Sequence, residues 1–244
     1  MTALAPRPAS LVPDASSVAI TAYAELRARV TAILADVDPA AAASTVVPAC
    51  PAWTVTDTVA HLTGVCIDIV DGAIGDDVGT AAWADSHVTR FSALGLPALL
   101  ERWQETAGVI DSLAGVLPDR IASQFCFDAT THEHDVRQAI SRPGARDSTS
   151  VHVALGFVEA MVDGQVRSLG LPSLELDLGG DRVQVGDGPA EVRLHAEPFD
   201  VLRAFGGRRS IGQIRAMDWS ADPAPFLAVF ERTPLVPPAA DLVE

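Results

Sequence analysis

Through the first two thirds of the chain, apolar residues recur at the three-to-four-residue spacing of helices. In "SSVAITAYAELRARVTAILADV" the residues Ile20, Tyr23, Leu26, Val30, Ile33 and Leu34 share one side, and a serine is available as N-cap. "VPACPAW" then reads as a proline-punctuated loop. The pattern resumes in "TVTDTVAHLTGVCIDIVDGAIG", where Val59, Leu62, Val65, Cys66, Ile69 and Val70 form an apolar side, and Thr54 or Thr56 is placed to cap the helix. Three more helices are predicted at "LPALLERWQETAGVIDSLAGVL", "RIASQFCFDATTHEHDVRQAI" and "STSVHVALGFVEAMVDGQVRSLG", separated by the breakers "LP", "PDR" and "RPGARD". The stretch from Trp83 to Phe91 is ambiguous. Short connections favour antiparallel neighbours, so residues 15–170 are expected to form a four- or five-helix bundle.

Past Leu171 the period changes. "LELDLGGDRVQVG" and "AEVRLHA" alternate apolar and polar residues around Gly-rich turns, as strands do, before "PFDVLRAFGGRRSIGQIRAM" and "PAPFLAVF" return to helical spacing. The expected class is α+β: a flexible lead at 1–14, a helical bundle at 15–170 and a small α+β domain at 171–244.

Charge narrows the partners. The formal net charge is -15, and all 17 basic residues are arginine, a lysine-free composition that suggests GC-rich coding of the actinobacterial kind. Such an acidic chain would be repelled by nucleic acid and by anionic membrane, which leaves a small molecule as the expected partner. The lead has no continuous apolar segment of a signal peptide, and no apolar run reaches bilayer length, so a cytoplasmic location is expected. Cys50, Cys66 and Cys126 are odd in number and form no CxxC pair, which argues against a disulfide framework and against a thiolate zinc site. No heptad pattern or single apolar patch assigns an oligomeric state.

The candidate chemistry gathers in "FCFDATTHEHDVRQAI", Phe125 to Ile140. Residues four apart share a helix face, so Asp128 and His132 can meet one ion, and Asp135, three residues on, can hold the other ring nitrogen of His132. Glu133 has Arg137 at i+4, the arrangement of a surface ion pair, and Glu133 with His134 gives an alternative register. A catalytic zinc commonly takes three protein ligands, and His61, within the second long helix, is the candidate for the third. GxSxG, GxGxxG, P-loop and HExxH motifs are missing, Cys66 and Cys126 fall in apolar helical runs, and Trp53 and Trp219 read as packing anchors.

Three segments together, "CPAWTVTDTVAHLTGV", "THEHDVRQAISRPGARD" and "FGGRRSIGQIRAMDWSADPAPFLAVF", resemble the mycothiol-dependent maleylpyruvate isomerase-like family, in which a DinB-like helical bundle precedes a small α/β domain. The resemblance implies His61, Asp128 and His132 as ligands of Zn2+, with Asp128 standing where the isomerase has Glu. It implies mycothiol as a thiol cosubstrate attacking a small-molecule electrophile, in an isomerase or an S-transferase. It also suggests Arg208 and Arg209 as a clamp for a substrate carboxylate. Two other readings remain open: zinc-activated water with Glu133 or Asp135 as base, and a non-catalytic metal- or ligand-binding protein.

Overall fold

The computed structural model describes residues 6–230 and 235–244. In chain order the elements are β1 (Arg7–Pro8), α1 (Ala15–Leu34), α2 (Pro39–Ala42), β2 (Val46–Val47), β3 (Cys50–Thr54), α3 (Val55–Asp71), α4 (Ala81–Phe91), α5 (Leu96–Glu105), α6 (Ala107–Asp111), α7 (Asp119–Ala139), α8 (Thr149–Leu169), β4 (Leu174–Asp177), β5 (Arg182–Val185), β6 (Val192–His195), α9 (Pro198–Phe205), α10 (Ile211–Arg215), β7 (Asp218–Trp219) and α11 (Ala224–Phe230). The fold is α+β, helical in its first part with a small sheet in its second. No described helix is long and apolar enough to cross a membrane.

The chain divides into two compact units, Ser16–Gly144 and a second that joins the segment up to Ala15 to Ala145–Val243. The division thus falls at Gly144, not near residue 171. Helix α8 belongs with the sheet because its partners are α9, α11 and β5. Its apolar stripe announces a buried face but not the neighbour that covers it. The lead is likewise not loose over its described part. Arg7 and Pro8 pair in parallel with Val183 and Gln184, and the Arg7 guanidinium grips Glu159 through contacts of 3.0 and 3.2 Å. The resulting sheet has the order β1-β5-β4-β6-β7.

In the helical unit, Tyr23, Leu26 and Val30 of α1 join Val59 and Leu62 of α3, Leu99 and Trp103 of α5 and Val136 of α7 in one core. The Tyr23 ring stacks on Phe125 at 4.1 Å between centroids. Its hydroxyl accepts from Trp103 Nε1 at 2.8 Å and lies 2.8 Å from Cys66 Sγ. Each buried polar group of this cluster is therefore answered by another.

Other departures from the pattern have local causes. The expected helix over "LPALLERWQETAGVIDSLAGVL" breaks at Thr106, whose hydroxyl bonds back to the Trp103 carbonyl at 2.7 Å and competes with the helical ladder. The "VPACPAW" segment forms a two-stranded hairpin, with Val46 opposite Thr54 and Val47 opposite Cys50. Its prolines hid it, although an edge position tolerates them. The ambiguous stretch is helix α4, capped by Thr80.

Two outcomes check this packing. Tyr23→Phe strips the buried Trp103 N–H of its acceptor and is expected to cost about 1–3 kcal/mol in urea unfolding, where a purely apolar role for Tyr23 predicts no loss. In the second unit, burial pushes the Glu159 carboxyl up to about 6 against the opposing pull of Arg7. The stability this group contributes is present below its ordinary unfolded value and is lost as pH rises through about 6. The parent should therefore lose about 2 kcal/mol relative to Glu159→Gln between acidic and neutral pH, and a difference that does not vary with pH contradicts this.

Candidate metal centre

Helix α3 is started by a capping box: Thr54 Oγ1 accepts from the Asp57 amide at 3.2 Å, and the Asp57 carboxylate accepts from the Thr54 amide at 2.8 Å. Two turns on, α3 presents His61, which is 2 % exposed. Helix α7 supplies Asp128 and His132 one turn apart. His61 Nε2 lies 3.4 Å from Asp128 Oδ2, and His132 Nε2 lies 3.7 Å from Asp128 Oδ1. One donor atom from each of the three residues falls within 4.8 Å of the others. Asp128, at 36 % side-chain exposure, is the member that meets solvent. Two imidazoles and a carboxylate are the donor set of a catalytic zinc that keeps a position open, so these residues fit that ion.

The second nitrogen of each imidazole also has a polar neighbour. Asp135 Oδ2 lies 3.2 Å from His132 Nδ1, as the i+3 spacing predicts. Burial alone would draw the His132 ring down, but Asp135, Cys50 and the charge of Asp128 outweigh it and carry it to about 10. His61 Nδ1 faces His87 Nδ1 at 3.1 Å, and His87 Nε2 is 2.8 Å from Asp68 Oδ2. That carboxylate also accepts from Trp83 Nε1 at 3.1 Å and from Arg90 Nη1 at 2.8 Å. Burial would raise Asp68, yet the bonds from His87 and Arg90 hold it below the usual carboxylate range. Burial lowers His87, and its bond to Asp68 does not restore it.

Sequence reasoning missed His87, Asp68 and the setting of Trp53. His87 lies on the one helix whose pattern was ambiguous. Asp68 had a visible signal, since His61, Gly64 and Asp68 sit at i, i+3 and i+7 on one face of α3. Trp53, read as a packing anchor, lies against both candidate ligands, its ring 5.1 Å from His61 and 5.8 Å from His132. Its Nε1 donates to Asp85 at 3.0 Å.

Other candidates are placed elsewhere. Glu133 is fully buried between Arg29, at 2.8 Å, and Arg137, at 2.9 Å. Its pair with Arg137 is thus interior rather than superficial, and it is taken up by these two guanidinium groups rather than aimed at an ion. The register of Glu133 and His134 is set aside on that ground; neither residue occurs in a metal-competent group among the described residues. A second such group is Cys50, His132 and Asp135, with Cys50 Sγ 4.0 Å from Asp135 Oδ2. Burial raises the thiols of Cys66 and Cys126, the latter to about 12, which disfavours the thiolate at both. Arg208 and Arg209 belong to the other unit. There Arg209 lies 3.5 Å from Asp200 and donates to the Arg208 carbonyl at 2.9 Å, after a turn at Gly207 with φ of 73°.

Comparisons with known proteins agree with this architecture. Two solved structures are similar: a mycothiol-dependent maleylpyruvate isomerase, with a TM-score of 0.52, and a histidine-to-alanine mutant of that isomerase, with a TM-score of 0.54. Each is 15 % identical and covers 78 % of this chain and 88 % of the other. No curated protein matches the chain. Residues 23–125 match the family described as mycothiol maleylpyruvate isomerase N-terminal domain, a span that includes His61 and ends just before Asp128. The match thus lies within the helical part of the chain, and the fold is similar to that of the isomerase.

Proposed function

We propose that the protein is an isomerase of the maleylpyruvate isomerase kind that uses mycothiol as cosubstrate and holds Zn2+ with His61, Asp128 and His132. The observation that carries this reading is the convergence of three donor atoms, from α3 and α7, within 4.8 Å. When bound, zinc supplies a Lewis-acid position at which a thiol is deprotonated near neutral pH.

The chain's own residues supply the rest. Asp135 steadies the His132 ring from its Nδ1 side and raises its basicity as a ligand. Trp53, held by Asp85, walls the site beside both imidazoles and limits water on that side. Asp128 keeps the solvent-facing edge, where a thiol and an electrophile can enter. A thiolate that adds to an activated carbon–carbon double bond leaves a single bond free to rotate. Its expulsion then returns the other geometric isomer, with the thiol regenerated. In the other unit, Arg209 lines a cavity of about 410 Å³ with His195, Asp200 and Gln213, where a guanidinium can hold a carboxylate through two hydrogen bonds. An S-transferase would use the same first step without the expulsion.

Two measurements test the reading. Purified protein is expected to hold close to one zinc per chain, and His132→Ala to bind it at least about 100-fold more weakly, since a metal ligand counts for more than the groups that orient it; undiminished zinc in the variant contradicts the assignment. Isomerisation of an activated cis-alkene diacid is expected to require added mycothiol and to leave the thiol unconsumed. Turnover without thiol would show the metal acting on water, and stoichiometric loss of thiol would show a transferase.

A further inference from the structure

The chain of contacts behind His61 reaches further than an ordinary outer hydrogen bond, because a second imidazole stands between the candidate ligand and its carboxylate. That imidazole, His87, comes from α4 and is fully buried. It reaches His61 only because α3 has no side chain at position 64. A Cβ built on Gly64 would lie 2.4 Å from His87 Cγ and 2.6 Å from His87 Cδ2, well inside contact distance. Gly64 adopts ordinary helical geometry, so nothing in the backbone calls for glycine. Glycine inside a helix costs about 0.5–1 kcal/mol relative to alanine. The sequence accepts that cost where the ring must pass.

The hydrogen bonds along this line have one consistent polarity. Asp68, facing Arg90, is a carboxylate and can only accept, so the proton between it and His87 sits on His87 Nε2. With that one proton on Nε2, His87 offers a lone pair at Nδ1, to which His61 Nδ1, 3.1 Å away nitrogen to nitrogen, is placed to donate. That leaves His61 Nε2 with its lone pair directed to the side of Asp128 and His132. We propose that His87 is a positioning residue: seated over Gly64 and oriented by Asp68, it sets the tautomer of His61 so that Nε2 is the nitrogen presented to the metal. This deepens the zinc reading above and rests on it for its purpose, though not for its proton assignment.

The experiment therefore has two arms. In the first, long-range proton–nitrogen correlation spectra of the metal-free protein are assigned with a His61→Gln variant. His61 Nδ1 is expected to carry a proton, and to lose that preference in His87→Ala. An unprotonated Nδ1 in the parent overturns the proposal. In the second, zinc affinity is measured by competition with a chromophoric chelator. His87→Ala, and Gly64→Ala through displacement of the ring, are each expected to weaken binding about 10–100-fold. His87→Asn keeps an acceptor where Nδ1 stood and should recover most of the affinity, whereas His87→Gln keeps the donor to Asp68 and should not. Recovery by Gln but not Asn would place the effect in the bond to Asp68 and overturn the tautomer role, and an affinity in His87→Ala within about twofold of the parent would reduce His87 to a packing residue. A parent that binds no zinc defeats the proposed function, and the first arm still decides the tautomer.

Discussion

The Asp68 carboxylate is the anchor on which the candidate site depends. It is nearly buried, and a charge in such a place is tolerated only when donors replace its water. Three do so, His87, Trp83 and Arg90, all from α4. One side chain of α3 thus ties the second helix down over a full face, and α3 with α4 is among the most extensive contacts of the helical unit. Through His87 the same carboxylate reaches His61. Removing a partner would leave that buried carboxylate short of a donor, so the pairing of these helices and the orientation of the ligand are linked.

Helix α7 carries a second concentration of polar burial. Thr130, Thr131, His132, Glu133, His134 and Asp135 are all buried, on every side of the helix. Glu133 is answered by two arginines, whereas His132 is pinned between Asp128 and Asp135. An ordinary core helix would place apolar residues at most of these positions. Keeping polar groups there, like keeping Gly64 in α3, exchanges some stability for a site of fixed geometry.

Much of this was legible in the residues, for identifiable reasons. The apolar stripes of α1, α3, α7 and α8 gave their helices, and the alternation in "LELDLGGDRVQVG" gave β4 and β5, because each period follows from which face is buried. The spacing of Asp128, His132 and Asp135 also foretold their contacts, since partners one turn apart are set by helical geometry alone. Apart from the approach of His61 to Asp128 and His132, what failed to show were the relations between elements. The α8 stripe could not say that its partners are α9, β5 and α11, and the ambiguous pattern around Trp83 concealed the helix that brings His87. Pro48 and Pro51 masked the hairpin that carries Trp53 to the two imidazoles. Residues joined across 19 or 26 positions, as Asp68 and His61 are to His87, leave no periodic trace.

The proposed function requires zinc to be held by His61, Asp128 and His132 with a position left for a thiol. X-ray absorption at the zinc edge of the loaded protein, before and after addition of mycothiol, tests it most directly. The account predicts a shell of nitrogen and oxygen donors with two imidazoles and no sulfur, and then one sulfur at about 2.3 Å once mycothiol is present. A sulfur in the shell before any thiol is added would move the metal to Cys50, His132 and Asp135, and a shell unchanged by mycothiol would remove the thiol from the mechanism.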